Sequence, residues 1–348
     1  FDGYTVIKDS QEYALSFGGE LTDETLQQIV SDYQQMEADG MEKELEKTDW
    51  QIVHSWLGTL YPELRDTSNY KTMISYVDPD KLTGFYERRQ QALDEFLEVS
   101  GQVGAEKEFL HQMERKVEKP FHYEWVEGWS TLLGSMVADL GVVMALFLGI
   151  VLSSLFAGEW RDNTSTLVLT TRNGWGKIAL AKILTGFAFT VELFALLAVS
   201  SVISQLFFMG TAGWNMPIQN IKLIAVAPMN MLQAEIYEYA FVLLGAIGFA
   251  GIVMFISAAV KNNVLTLLLS LAVVYGPMMI AEYLPYEMQK ALDLIPLAGS
   301  STDIFRTNTF RIFGKLIWSP YLLITIPVLI GILCMPFAIK SWSRRMKA

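Results

Sequence analysis

The chain has almost no cysteine and almost no histidine. Cys334 stands alone, so no disulfide can form within the chain and whatever folds is held by packing. The three histidines, His54, His111 and His122, show no metal-ligand spacing such as HExxH, and none falls in an apolar run. Metal-dependent or histidine-assisted hydrolysis inside a bilayer is therefore not expected. Charge is scarce too: 18% of 348 residues is too little for an ordinary soluble enzyme, while 52% hydrophobic excludes disorder. Bases are short where acids are plentiful. Residues 1–128 hold 27 Asp plus Glu against 12 Lys plus Arg, a net of −15, and residues 129–348 hold 10 against 14. So acidic a part repels phosphates, and nucleic acid is not an expected partner.

The chain divides at the same place. Residues 1–128 read as an acidic, mainly α domain outside the membrane. Thr22 or Asp23 caps a helix whose Leu26, Ile29, Val30 and Tyr33 recur on one face. Phe96 and Leu97 close another helix, and Phe109, Leu110, Met113 and Val117 form the stripe of a third, beyond the break from Gly101 to Gly104. Pro120 marks the exit.

Residues 129–348 carry long apolar runs. A bilayer core of ~30 Å needs ~20 helical residues, because irregular backbone cannot satisfy its hydrogen bonds there. Five runs qualify: 130–156, 181–208, 239–260, 264–281 and 318–339. The expected fold class is an all-α polytopic membrane protein with five transmembrane helices. The fourth run, with Gly276 and Pro277, is expected to bend near its end. Trp129, Tyr237, Tyr239, Tyr283, Trp318, Tyr321 and Trp342 lie near the ends, where amphipathic rings favour the headgroup region.

Nine Lys and Arg fall on one side, Arg161, Arg172, Lys177 and Lys182 among them, and five on the other, which places the C-terminus in the cytoplasm and residues 1–128 outside. A sixth, earlier transmembrane helix before Phe1 would restore an even count, and a removed signal peptide is the other expectation.

Gly176 and Lys177 end an NGWGK sequence, but a phosphate loop needs Gly where Thr171 stands and Ser or Thr where Ile178 stands. No ATP hydrolysis is expected from this chain itself. Asp139 and Glu192 lie well inside apolar runs, where a carboxylate normally faces an interior, a cavity or a partner. Each is either a pathway or gate residue or a packing residue. Glu235 and Glu238 read as water-reached charges at the outer edge. Met136, Met144, Met254, Met278 and Met279 are either ordinary packing or an adaptable lining. Gly245, Gly248 and Gly251 make a small-residue stripe for close helix contact, within one chain or between two.

One segment carries more. After the first run comes GEWRDNTSTLVLTTRNGWGKIALAK, in which Glu159, Thr164, Leu167, Leu169, Thr171, Arg172, Gly174, Lys177, Ala181 and Lys182 resemble the coupling segment of ABC-2 type transporter permeases. Asn163 and Trp175 stand where Gly and a basic residue are commoner in that family. The order of lobe, apolar runs and coupling segment resembles the same family over most of the chain. The resemblance implies a bacterial plasma-membrane exporter subunit paired with a second permease chain among membrane lipids. It also implies two separate ABC ATPase subunits holding ATP and Mg, a coupling segment at 157–180 and an exterior helical segment at 282–317. Glu159, Arg161, Thr164, Leu167, Thr171, Arg172 and Lys177 are then the coupling residues, with Glu159 and Arg161 expected to pair. The alternative is a membrane receptor or peptide-immunity protein whose lobe binds ligand without ATP-driven transport.

Overall fold

The computed structural model describes residues 3–16, 18–41, 50–64, 70–171, 176–298 and 308–344. The chain is a mostly helical, multi-pass membrane protein. Five helices are long and apolar enough to cross a bilayer: Glu127–Arg161, Lys177–Met209, Met231–Ala259, Asn263–Tyr283 and Ser319–Ser343, named here the first to fifth spans. Each apolar run of the sequence falls on one of them, in order, with only Val260 and Trp318 just outside. The helices overrun the runs because a helix already nucleated gains a hydrogen bond for each residue added. Asn230 and Gln233 set the start of the third span by a reciprocal cap. Gln233 N donates to Asn230 Oδ1 at 2.9 Å, and Asn230 N donates to Gln233 Oε1 at 3.1 Å.

The chain clusters into two compact units, of which one comprises Leu132–Ile203, Ile236–Ile304 and Asn308–Ala348. Its core joins Met144, Leu148, Leu152 and Phe156 of the first span to Phe249 and Val253 of the third. Ser257 of the third span adds polar stitching: its Oγ accepts from Phe156 N and Ala157 N and donates to Ser153 O. The glycine stripe works within one chain. A Cβ at Gly251 would lie 2.6 Å from Gly331 Cα, and one at Gly248 would strike the Pro327 carbonyl, so the third and fifth spans touch backbone to backbone.

The other unit comprises Phe1–Thr131 with Ser204–Glu235. Its helices are α1 (Gly3–Ser16), α2 (Asp23–Ala38), α3 (Gln51–Leu60), α4 (Tyr70–Tyr76), α5 (Phe85–Val99) and α6 (Ala105–Glu114). Strands β1 (Gly19–Leu21) and β2 (Phe121–Tyr123) pair antiparallel, Gly19 opposite Tyr123. Thr22 Oγ1 caps α2 by accepting from Thr25 N, and Leu26, Ile29, Val30 and Tyr33 form its buried face. Asp23 instead accepts from Gly84 N and Phe85 N, tying α2 to the start of α5.

Hydropathy alone leaves residues 210–230 as a connection between the second and third spans. They are part of the lobe, and a buried arginine is one reason. Arg89 of α5, 0% exposed, donates to Leu223 O at 2.7 Å, to Ala225 O and to Glu114 Oε1 at 2.6 Å. Lys119 closes on the same Glu114 oxygen at 2.7 Å. Trp56 Nε1 adds a hydrogen bond to Asn220 O at 2.9 Å.

Two short helices lie between spans, α7 (Ser165–Thr170) and α8 (Tyr286–Leu292). The expectation of a helical segment at 282–317 is only partly met. After α8, residues 299–307 fall outside those described, and β3 (Thr309–Ile312) and β4 (Lys315–Trp318) form a hairpin with Thr309 opposite Trp318. Aromatic and β-branched residues flank a Phe313-Gly314 turn in which both residues have positive φ, and that chemistry favours strands. The mostly helical, polytopic fold is consistent with the all-α expectation, and among the described residues it also carries two small antiparallel strand pairs.

Candidate functional site: the segment between the first two spans

The first span ends at Arg161 in a tight reversal. Asp162 N donates to Gly158 O and Asn163 N to Trp160 O, and Asn163 adopts a left-handed φ of 57°. Asparagine tolerates that conformation better than most residues, which accounts for the absence of Gly there. Thr164 then closes the turn: its N donates to Glu159 O at 3.0 Å, and its hydroxyl donates to Glu159 Oε2. From Thr164 the chain enters α7.

Glu159 is the centre of this arrangement. Its Oε1 lies 2.7 Å from Lys182 Nζ of the second span, and the same ammonium donates to Leu155 O at 2.6 Å. Lys182 also sits 5.5 Å from the Phe156 ring and 5.6 Å from the Trp342 ring. One half-buried carboxylate therefore joins the end of the first span, the start of α7 and the second span. The expected Glu159 to Arg161 pair does not form. Arg161 points away from the packed side and binds Asp162, Nε to Oδ1 2.8 Å, with both side chains mostly in solvent. That hydrogen bond holds the Asp162 carboxyl below the usual carboxylate range.

The outer surface of the segment is open. Leu167 is 69% exposed while its neighbour Val168 packs against the core, so α7 presents an apolar side chain away from its own chain. Thr171 and Lys177 are exposed. Arg172 lies outside the described residues. Lys182, Trp160 and Trp342 were not among the candidate residues, yet they complete the site; Lys261 Nζ lies 4.3 Å from the Trp160 ring centre.

Asp139 and Glu192 are not brought together with this segment or into the interior of the chain. Both are exposed on the single chain, Glu192 beside the outward-facing Val191, Leu196 and Val199. Glu235 and Glu238 are the reverse of what the sequence implies: Glu235 is buried and Glu238 is 0% exposed. The third span begins at Met231, so both carboxylates belong to the packed first turns of a long helix and not to a water-reached edge. Among the described residues no group of three His, Cys, Asp or Glu side chains is placed to hold a metal ion. Comparison with protein-family models, with curated proteins and with solved structures gives no match.

Proposed function

We propose that the chain is the membrane-spanning subunit of an ATP-driven exporter of the ABC-2 type, worked by ATPase subunits that dock on the segment from Glu159 to Lys177. The supporting observation is the tie made by Glu159 to Thr164 and Lys182. A short helix that is to transmit force must be held firmly to its own spans while offering a surface to a partner. The Glu159 tie meets the first need, and the exposed Leu167, Thr171 and Lys177 meet the second. ATP and Mg belong to the partner in this reading, and the chain's own part is to convert displacement of α7 into movement of the first and second spans.

Asp139 and Glu192 fit the same reading. A carboxylate facing lipid near mid-membrane costs roughly 3 kcal/mol on insertion scales, so exposed acids on a single chain call for cover. A second permease chain would supply it and would place both groups beside the path of the cargo. The lobe then lies on the outer face of the bacterial plasma membrane, and the C-terminus in the cytoplasm.

The test is co-purification from the native host in mild detergent. Two nucleotide-binding chains should be retained with the wild type and lost, together with ATPase activity, from Leu167→Asp combined with Arg172→Glu and Lys177→Glu. An assembly and ATPase rate unchanged by the triple substitution would sink the coupling role. Purification with no ATPase at all would favour the receptor alternative.

A further inference from the structure

The β3–β4 ribbon ends in a tip that neither folding nor water explains. Phe313 is 103% exposed, its side chain standing clear of its own chain, and its φ of 49° is followed by the 80° of Gly314. A two-residue turn of that hand takes Asn, Asp or Gly at its first position with least strain, and water receives those residues better than a phenyl ring. A bulky aromatic there is at odds with both demands.

Charge frames the tip. Arg311 and Lys315 are exposed and stand two residues before and two after Phe313. No Asp or Glu follows Asp303 in a chain of net charge −11, so the ribbon carries cations alone. Two residues of extended strand span about 7 Å. Interfacial side chains reach about 5–10 Å into the boundary between headgroups and acyl chains, the same length. An apolar point with a cation behind it on each strand therefore matches a layer that is anionic at its surface and apolar below.

The root of the ribbon is fixed at a bilayer boundary. β4 runs directly into the fifth span, which starts at Ser319, and Ser319 N donates to Asn308 O at 3.0 Å. On the other strand, Thr309 O accepts from Lys290 Nζ of α8 at 3.4 Å, and Gln289 of α8 donates to Leu284 O, just past the fourth span, at 2.8 Å. Trp318 and Tyr321 meet edge to face, ring centres 5.8 Å apart, where the fifth span begins. The tip lies four residues beyond Thr309, about 14 Å, which reaches any part of the headgroup layer from such a root.

We infer that the β3–β4 tip dips Phe313 and Ile312 into the membrane surface, with Arg311 and Lys315 on the phosphates of anionic lipid. The contact is a charge-dependent anchor for the start of the fifth span. A protein partner would have to bring acids and a pocket for the ring together, whereas the lipid beside the ribbon's root supplies both. The inference does not depend on the exporter reading and needs only the fifth span in a bilayer.

The experiment uses the full chain, Cys334→Ala with Phe313→Cys, carrying a nitroxide at position 313 in nanodiscs of phosphatidylcholine and phosphatidylglycerol. Collision with oxygen, which concentrates in lipid, is compared with collision with a water-soluble nickel chelate, and Val103→Cys in the lobe is the aqueous control. The label at position 313 should prefer oxygen, at a depth of about 5–10 Å. Arg311→Gln with Lys315→Gln should move the ratio of inserted to aqueous label about thirtyfold towards water. A second label at Ile312→Cys, with Phe313 retained, should also read lipid, and should read water once Phe313→Asp is added. A label as open to nickel as the control overturns the inference. So does one screened from both reagents, which reports a protein pocket, and so does a ratio that the two charge substitutions leave unchanged.

Discussion

Arg89 shows how a single residue can hold distant chain segments together. Its guanidinium is buried, which pushes its pKa down, and the charge is sustained by Glu114. Burial likewise pushes Glu114 up, but hydrogen bonds from Lys119 and Arg89 outweigh it and hold the carboxyl below its usual range. Replacing Arg89 with Met strands the carbonyls of Leu223 and Ala225 and removes one of two cations from Glu114. Thermal unfolding of the detergent-solubilised variant should show a loss of about 3 kcal/mol, at the low end for a broken buried pair because Lys119 remains. The pH dependence has a definite sign. A depressed carboxyl contributes its stabilisation fully above the unfolded value of about 4.3 and loses it as pH falls through the folded value. The stability gap between wild type and Glu114→Gln should therefore be constant near neutrality and shrink below about pH 4. A gap that widens on acidification would contradict the network.

Among the elements, the spans were the most legible part of the sequence, because continuous apolar runs leave helices as almost the only solution in lipid. The capped, amphipathic α2 was legible for a different reason: Thr22 and the Leu26, Ile29, Val30, Tyr33 face are local signals. Long-range contacts were not. Nothing within residues 299–318 announced a hairpin to a search for apolar helices, and nothing near Glu159 showed that its partner would be Lys182 and not the nearer Arg161. The glycine stripe was visible, but its partner was not until Gly331 and Pro327 were placed against it. Gly251→Leu should cost about 3 kcal/mol by forcing the third and fifth spans apart, measured as resistance to unfolding in mixed micelles. Gly141→Ala, where nothing lies within 4 Å, is the control and should change little. Equal effects at the two sites would mean that the close approach does not matter.

For the whole molecule, the division into two units was half visible. The shift of charge near residue 128 marks one boundary, while the return of Ser204–Glu235 to the lobe is invisible to composition because those residues look like an ordinary connection. Sidedness is open to direct measurement. In a Cys334→Ala background, Val103→Cys in the lobe and Leu167→Cys in α7 occupy exposed positions that precede and follow the first span in the chain. An impermeant maleimide applied to intact cells should label the first and reach the second only after lysis. Labelling of both without lysis would overturn the proposed orientation.

The clamp of Arg89 on Leu223 and Ala225 also imposes an order on biosynthesis. The ribosome delivers the arginine long before its carbonyl acceptors, with two hydrophobic helices to be inserted in between. Until that insertion is finished the nascent lobe carries a guanidinium with its main-chain acceptors still unmade, so it matures as a post-insertion event and not as an autonomous leading domain.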